Sequence, residues 1–229
     1  MGQEWMVWIW LPVTVLVYLG ADNLQERSGW LLLQPMLTSV LVLVVLVLLS
    51  HQTVATYHKA TEPLIWVAGP LTVGMAVPLF RERQRILEAA RPLLLTLIPG
   101  SLLASASAFV LAWGFHLGPM IQRAYLTRAI SLPFCLPVAA LVHAPQGLAA
   151  VIVGISGVIG GIAAPWLLAT RVSAPACGVA MGLAAHGIGT AVALRQGARM
   201  GAYAALGMML NGVLTSLWLP WLWRIISRH

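Results

Sequence analysis

The chain is 229 residues long, 60% hydrophobic and only 8% charged, with a mean hydropathy of +0.89. Several apolar runs approach or exceed the ~20 residues that span a bilayer, which excludes a soluble globular domain. The net charge of +7 is scattered over short loops and helix ends, so no basic patch is long enough to track a nucleic acid.

The acidic residues are Glu4, Asp22, Glu26, Glu62, Glu82 and Glu88, and nothing acidic follows Glu88. The second half therefore lacks a carboxylate for a proton relay or a cation site of the usual kind, and suits an anion better. Cys135 and Cys177 stand far apart in apolar segments and read as buried thiols, with no metal, cofactor or disulfide expected. There is no H-E-x-x-H, no G-x-S-x-G and no acid to orient a catalytic histidine, so an enzyme is not expected.

In chain order, Glu4 to Ala21 reads as a first membrane segment rather than a signal peptide, with Trp5, Trp8 and Trp10 placed like an interfacial belt. Asp22 to Gly29 reads as a polar loop, Trp30 to Ser50 as a second span, and His51 to Glu62 as a second loop. Pro63 to Phe80 is a third segment, with breaks expected at Gly69, Pro70 and Pro78 because proline removes an N–H and clashes with the preceding turn. Arg81, Arg83, Arg85 and Arg91 form the strongest basic loop, which the positive-inside rule places in the cytoplasm. Pro92 to Phe115 is a fourth segment, whose small residues mark close packing. His116 to Thr127 joins the halves, and Arg128 to Val142 is a short fifth segment broken at Pro133. Gly147 to Ala169, Ala174 to Arg195 and Ala202 to Trp223 complete the set.

The segment from Gly178 to Leu194 organises the rest. It is apolar, yet carries His186, Thr190 and glycines at 178, 182, 187 and 189. Gly178 and Gly182 form a small-xxx-small face, which packing alone explains. The His186-Gly187-Ile188-Gly189-Thr190 run is a different matter. A backbone break inside a membrane is tolerated only where it is buried in protein or faces a cavity, and half-helix N-termini at such breaks hold anions. Val73 to Leu79 matches Ile188 to Leu194 at Gly, Ala, Val and Leu, about half the chain apart. Both lie in an interrupted third segment of their half. The reading is thus one membrane domain, residues 1–229, with repeat 1 over about 5–115 and repeat 2 over about 126–223. The expected fold is an all-α polytopic membrane protein of about seven to eight hydrophobic segments, each repeat holding an interrupted or re-entrant helix. Whether those segments cross or turn back is open at this level.

Three blocks resemble the LrgB/CidB family of YohK-like bacterial inner-membrane proteins, to which the C-terminal part of the plastidal glycolate/glycerate translocator is related. Gly69 to Phe80 resembles the family's GPATVALAVPLY, Ala185 to Ala191 its SHGIGTA, and Leu206 to Thr215 its LAMGLNGILT. The likeness runs from about residue 10 to 220. One departure is at Thr127 to Cys135, where the family usually reads PKSVTTPIA and Ser131 stands alone in place of two threonines.

The resemblance implies two functions. One is a carrier of glycolate-, glycerate- or pyruvate-like monocarboxylates, with H+ or Na+ as coupling ion. The other is a holin- or antiholin-like modulator of murein hydrolase activity and autolysis, acting with an LrgA/CidA-type partner. It also implies the bacterial inner membrane, and a homo-oligomer is expected. The residues favour the carrier, because holin action does not call for polar breaks in both halves. The expected substrate contacts are Thr72, Arg128, Ser131, His186, Gly187, Gly189, Thr190 and Asn211. Arg128 either pairs a carboxylate or snorkels from a helix end. His186 either carries a proton or bonds a backbone carbonyl. Asn211 either donates to substrate or ties helices together, and Thr72 and Thr190 offer hydroxyls or bond their own helices.

Overall fold

The computed structural model describes residues 4–30, 33–74, 80, 83–88, 90–168 and 172–227. The regular elements among the described residues are all helices, with no strand: α1 (Glu4–Ser28), α2 (Pro35–Leu49), α3 (Val54–Gly74), α4 (Arg83–Glu88), α5 (Ala90–Gly114), α6 (Pro119–Leu126), α7 (Leu132–Leu141), α8 (Gln146–Leu168), α9 (Ala174–Gln196) and α10 (Ala198–Ile226). Four of these, α5, α8 (as Gln146–Ala164), α9 and α10, are long and apolar enough to cross a membrane. The chain is an all-α polytopic membrane protein, as its composition requires.

Two compact units divide at Pro78 and Leu79; the expected repeat 1, about 5–115, includes residues of both. In the first unit α1 packs on α2 and α3. Its small core is Trp10, Val47 and Ala60. The Trp10 and Tyr57 rings meet edge to face at 5.5 Å, and the Tyr57 hydroxyl lies 3.0 Å from Thr14 Oγ1.

Two expected loops of this unit are corrected. α1 continues through Asp22 to Ser28 and stops at Gly29, whose φ of +66° a side chain would resist. α3 begins at Val54 and absorbs Lys59 and Glu62. Polar residues on an exposed helix face leave the backbone ladder intact, so polarity alone did not mark a loop. The expected interruption at Gly69 and Pro70 is corrected too, since α3 runs through both. A proline's fixed φ is already helical, and it forfeits one hydrogen bond without forcing the chain out. Pro78 and the side chain of Thr72 lie outside the described residues.

In the second unit the core gathers Ala124, Ile130, Cys135, Val138, Ala139, Val142, Ile152, Val153 and Leu219, from the α6–α7 region, α8 and α10. The expected connector of residues 116–127 contains the helix α6, which starts with Pro119 in its first turn.

Three helices end in the same way. His51, His116 and His143 adopt φ near +55°, at 53°, 54° and 56°. Each donates its N–H to the carbonyl three residues back, and the next residue donates to the one five back: Gln52 to Val47, Leu117 to Ala112 and Ala144 to Ala139. This is the Schellman closure, with histidine in the place glycine usually takes.

Candidate functional site

The fourth such histidine is His186, with φ 48° and ψ −127° in the middle of α9. Here the next residue starts a new helix. Contacts with α10 give the direction of each limb. On the first limb, residues 174–185, Gly178 faces Tyr203 and Ala204, while Gly182 faces Ala204 and Met208. That limb runs parallel to α10. On the second, residues 187–196, Thr190 Oγ1 lies 3.9 Å from Met208 Sδ, whereas Leu194 packs on Gly201. That limb runs back, antiparallel to α10. α9 is therefore a helical hairpin whose apex is His186 and whose open end lies at Gly197, where α10 begins.

The glycines are not the break, because among the described residues only Gly29 and Gly197 have positive φ. Their work is close approach. A Cβ on Gly182 would strike the Ala204 carbonyl, and one on Gly189 the Met181 carbonyl eight residues earlier. A straight helix would hold those two residues about 12 Å apart.

α6 and α7 form a second hairpin. Residues 127–131 between them are not helical, and both helices pack on α8. Arg123 Nη1 donates to the carbonyl of His143 at 3.4 Å, although α7 alone would carry an outstretched chain about 15 Å. The expected break at Pro133 thus falls just before it. Pro133 sits in the first turn of α7, where a missing N–H is harmless. Ala129 accepts a hydrogen bond from Asn211 Nδ2, while the Arg123 guanidinium lies 5.3 Å over the Trp223 ring. Twelve residues of α10 separate those anchors, about 18 Å. The α6–α7 hairpin therefore opens toward the end of α10 and the α9 hairpin toward its start, and their apices meet beside its middle.

Adjacent residues of α8 touch both apices. Ser156 Oγ donates to the Arg128 carbonyl at 3.2 Å, and a Cβ on Gly157 would lie 3.5 Å from His186 Nδ1. The His186 ring lies against the Arg128 main chain and within electrostatic reach of its guanidinium. His186 is 3% exposed, and its Nε2 has no hydrogen-bond partner among the described residues. Arg128 and Ser131 are half-buried. Ser131 heads α7 without spending its hydroxyl on a cap. Gly187 is exposed, with nothing within 4 Å of the position its Cβ would take, amid buried neighbours.

The structure thus brings together Arg128, Ser131, His186, Gly187 and Asn211. Asn211, 1% exposed, spends its amide on Ala129, and its Oδ1 lies 3.4 Å from Thr215 Oγ1; the geometry is that of a helix tie. Thr190 Oγ1 bonds the His186 carbonyl at 2.8 Å, so it closes the second limb's first turn. Thr72 belongs to the other unit. Ser156 went unread in the sequence, where a lone hydroxyl in an apolar run carries no mark of what it bonds.

With this geometry in place, likeness to known proteins can be set beside it. Residues 14–225 match the model of the LrgB-like family. The chain belongs to that family. The Bacillus subtilis protein YwbG is 28% identical over 214 residues, covering 93% of this chain and 95% of its own. The antiholin-like protein LrgB of Bacillus subtilis is 24% identical over 204 residues, 88% of each chain. Its Bacillus cereus namesake is 23% identical, covering 92% of this chain and 93% of its own. No solved structure matches.

Proposed function

We propose that this LrgB-family protein carries small monocarboxylates of the glycolate, glycerate or pyruvate kind, bound where the two hairpin apices meet. The observation that carries the reading is Arg128 beside the buried Nε2 of His186, which has no partner among the described residues, in a half-chain without an aspartate or glutamate. A guanidinium can fork a carboxylate, and the N-termini of α7 and of the second α9 limb offer partial positive charge to the same anion.

In the bilayer, α5, α8 and α10 cross. Each α9 limb is about 15–18 Å long, roughly half the hydrocarbon thickness, so both hairpins re-enter from opposite faces. One face then carries Arg91, Arg195 and Arg199, and the other Arg123 and Arg224. By the positive-inside rule the first face is cytoplasmic, in a bacterial inner membrane. Opening one hairpin at a time would give the site alternating access.

The test is uptake of labelled glycolate, glycerate, pyruvate and lactate into proteoliposomes, with and without an inward proton gradient. Saturable uptake lost in Arg128→Ala or His186→Ala, with the protein still folded, is the expected result. Folded protein that moves none of the four but releases large dyes without selectivity overturns the reading. A second reading has a specific basis, since two of the relatives above are named antiholin-like. Under it the chain modulates autolysis with an LrgA/CidA-type membrane partner, and dye release is its signature.

A further inference from the structure

Buried side-chain atoms without a hydrogen-bond partner among the described residues are Ser105 Oγ, His186 Nε2, Trp218 Nε1 and Trp223 Nε1. The two indoles lie beyond Asn211 on α10, about 10 and 18 Å farther along its axis. Ser105 is different. α5 runs from the end where the α9 hairpin opens to the end where α6 begins, hence parallel to the first α9 limb. A Cβ on Gly100 would lie 2.7 Å from Leu183 Cδ1, which fixes the register between them. Ser105, five residues past Gly100, stands about 7.5 Å farther along, and His186, three past Leu183, about 4.5 Å. Ser105 is therefore within about 3 Å of the height of the apex, in the layer where the hairpins meet. It lies on the buried face of α5, with Leu97, Ser101, Ala108 and Ala112.

Other hydroxyls of α5 bond back to their own helix: Thr96 to Pro92 and Leu93, Ser101 to Ile98, and Ser107 to Ala104. Ser105, 1% exposed, makes no such bond. A buried hydroxyl that forgoes the carbonyl of its own preceding turn is held for another partner, because leaving it unpaired in an apolar medium is costly.

Resting on the carrier reading, we propose that Ser105 is a specificity-determining residue. Its hydroxyl meets a second oxygen function, hydroxyl or oxo, on the carbon next to the carboxylate held at the apices. Arg128 and His186 supply donors for the carboxylate. The serine, able both to donate and to accept, then separates a 2-hydroxy or 2-oxo acid from the plain acid of the same length.

The experiment compares uptake of labelled glycolate and acetate by wild-type and Ser105→Ala protein in proteoliposomes, with the thermal midpoint of each in detergent. Wild-type protein is expected to favour glycolate. Ser105→Ala should lower glycolate kcat/KM by about 5–10-fold and leave acetate unchanged, while its midpoint stays at or above that of wild type. An equal fall for both acids, no fall for glycolate, a wild type without preference, or a lowered midpoint each overturns the assignment. Wild-type protein that moves neither acid overturns the carrier reading itself, so the two failures are distinct.

Discussion

Replacing Gly182 by alanine adds one methyl group at the tightest approach in the second unit. The new Cβ would overlap the Ala204 carbonyl oxygen and stand 2.8 Å from its carbon and 2.9 Å from Met208 N. These are backbone atoms of α10 and cannot swing aside as a side-chain end can. The limb must move bodily, which costs about 3 kcal/mol by analogy with overpacked cores. Alanine's better helix propensity returns about 1 kcal/mol, leaving a net loss of about 2 kcal/mol. For a chain of this length that is a fall of about 4–8 °C in thermal midpoint. Gly187→Ala, five residues on, is the control. Nothing lies within 4 Å of its added Cβ, and its φ is not positive, so propensity alone applies and the midpoint should hold or rise by about 2–4 °C. Both would be measured by the loss of monodisperse protein on heating in detergent. Equal destabilisation by the two changes would refute the argument, because any account in which α9 merely dislikes bulk predicts equality.

Asn211→Ala leaves the buried Ala129 carbonyl unpaired and should cost about 1–3 kcal/mol of stability. Ser156→Ala releases the neighbouring Arg128 carbonyl, so a double-mutant cycle between the two should give a coupling of about 0.5–3 kcal/mol; strict additivity would mean that they do not share one turn. Single cysteines at Gln196 and at His116, in a background with Cys135 and Cys177 replaced, should label with an impermeant thiol reagent from opposite faces of the membrane. Labelling from the same face would exclude the re-entrant path of α9.

Much of this site was legible in residues. Arg128, Ser131, His186 and Gly187 were readable as polar or break-prone groups in apolar surroundings, and such groups in lipid have few bland explanations. What they faced was not legible. The match of Val73–Leu79 with Ile188–Leu194 pointed to paired breaks in the two halves, yet α3 runs unbroken through Gly69 and Pro70. Within the second unit the apex that meets His186 is Thr127 to Ser131, a turn disguised as the start of a short span. The break itself was also assigned to the wrong residue type. Glycine is the expected occupant of positive φ, but here His186 takes it, as His51, His116 and His143 do at the ends of other helices.

By itself the sequence determined the class of the protein, all-helical and membrane-borne, its family, and the absence of acidic groups after Glu88. Those follow from composition and from short motifs, which are properties of residues near one another in the chain. Only the tertiary structure decided that α9 doubles back and that two hairpins meet apex to apex. A reversal needs a changed dihedral pair at one residue and leaves the apolar pattern on either side untouched. Periodicity therefore reads a hairpin and a crossing helix alike, and the packing of Gly178, Gly182 and Leu194 on α10 tells them apart.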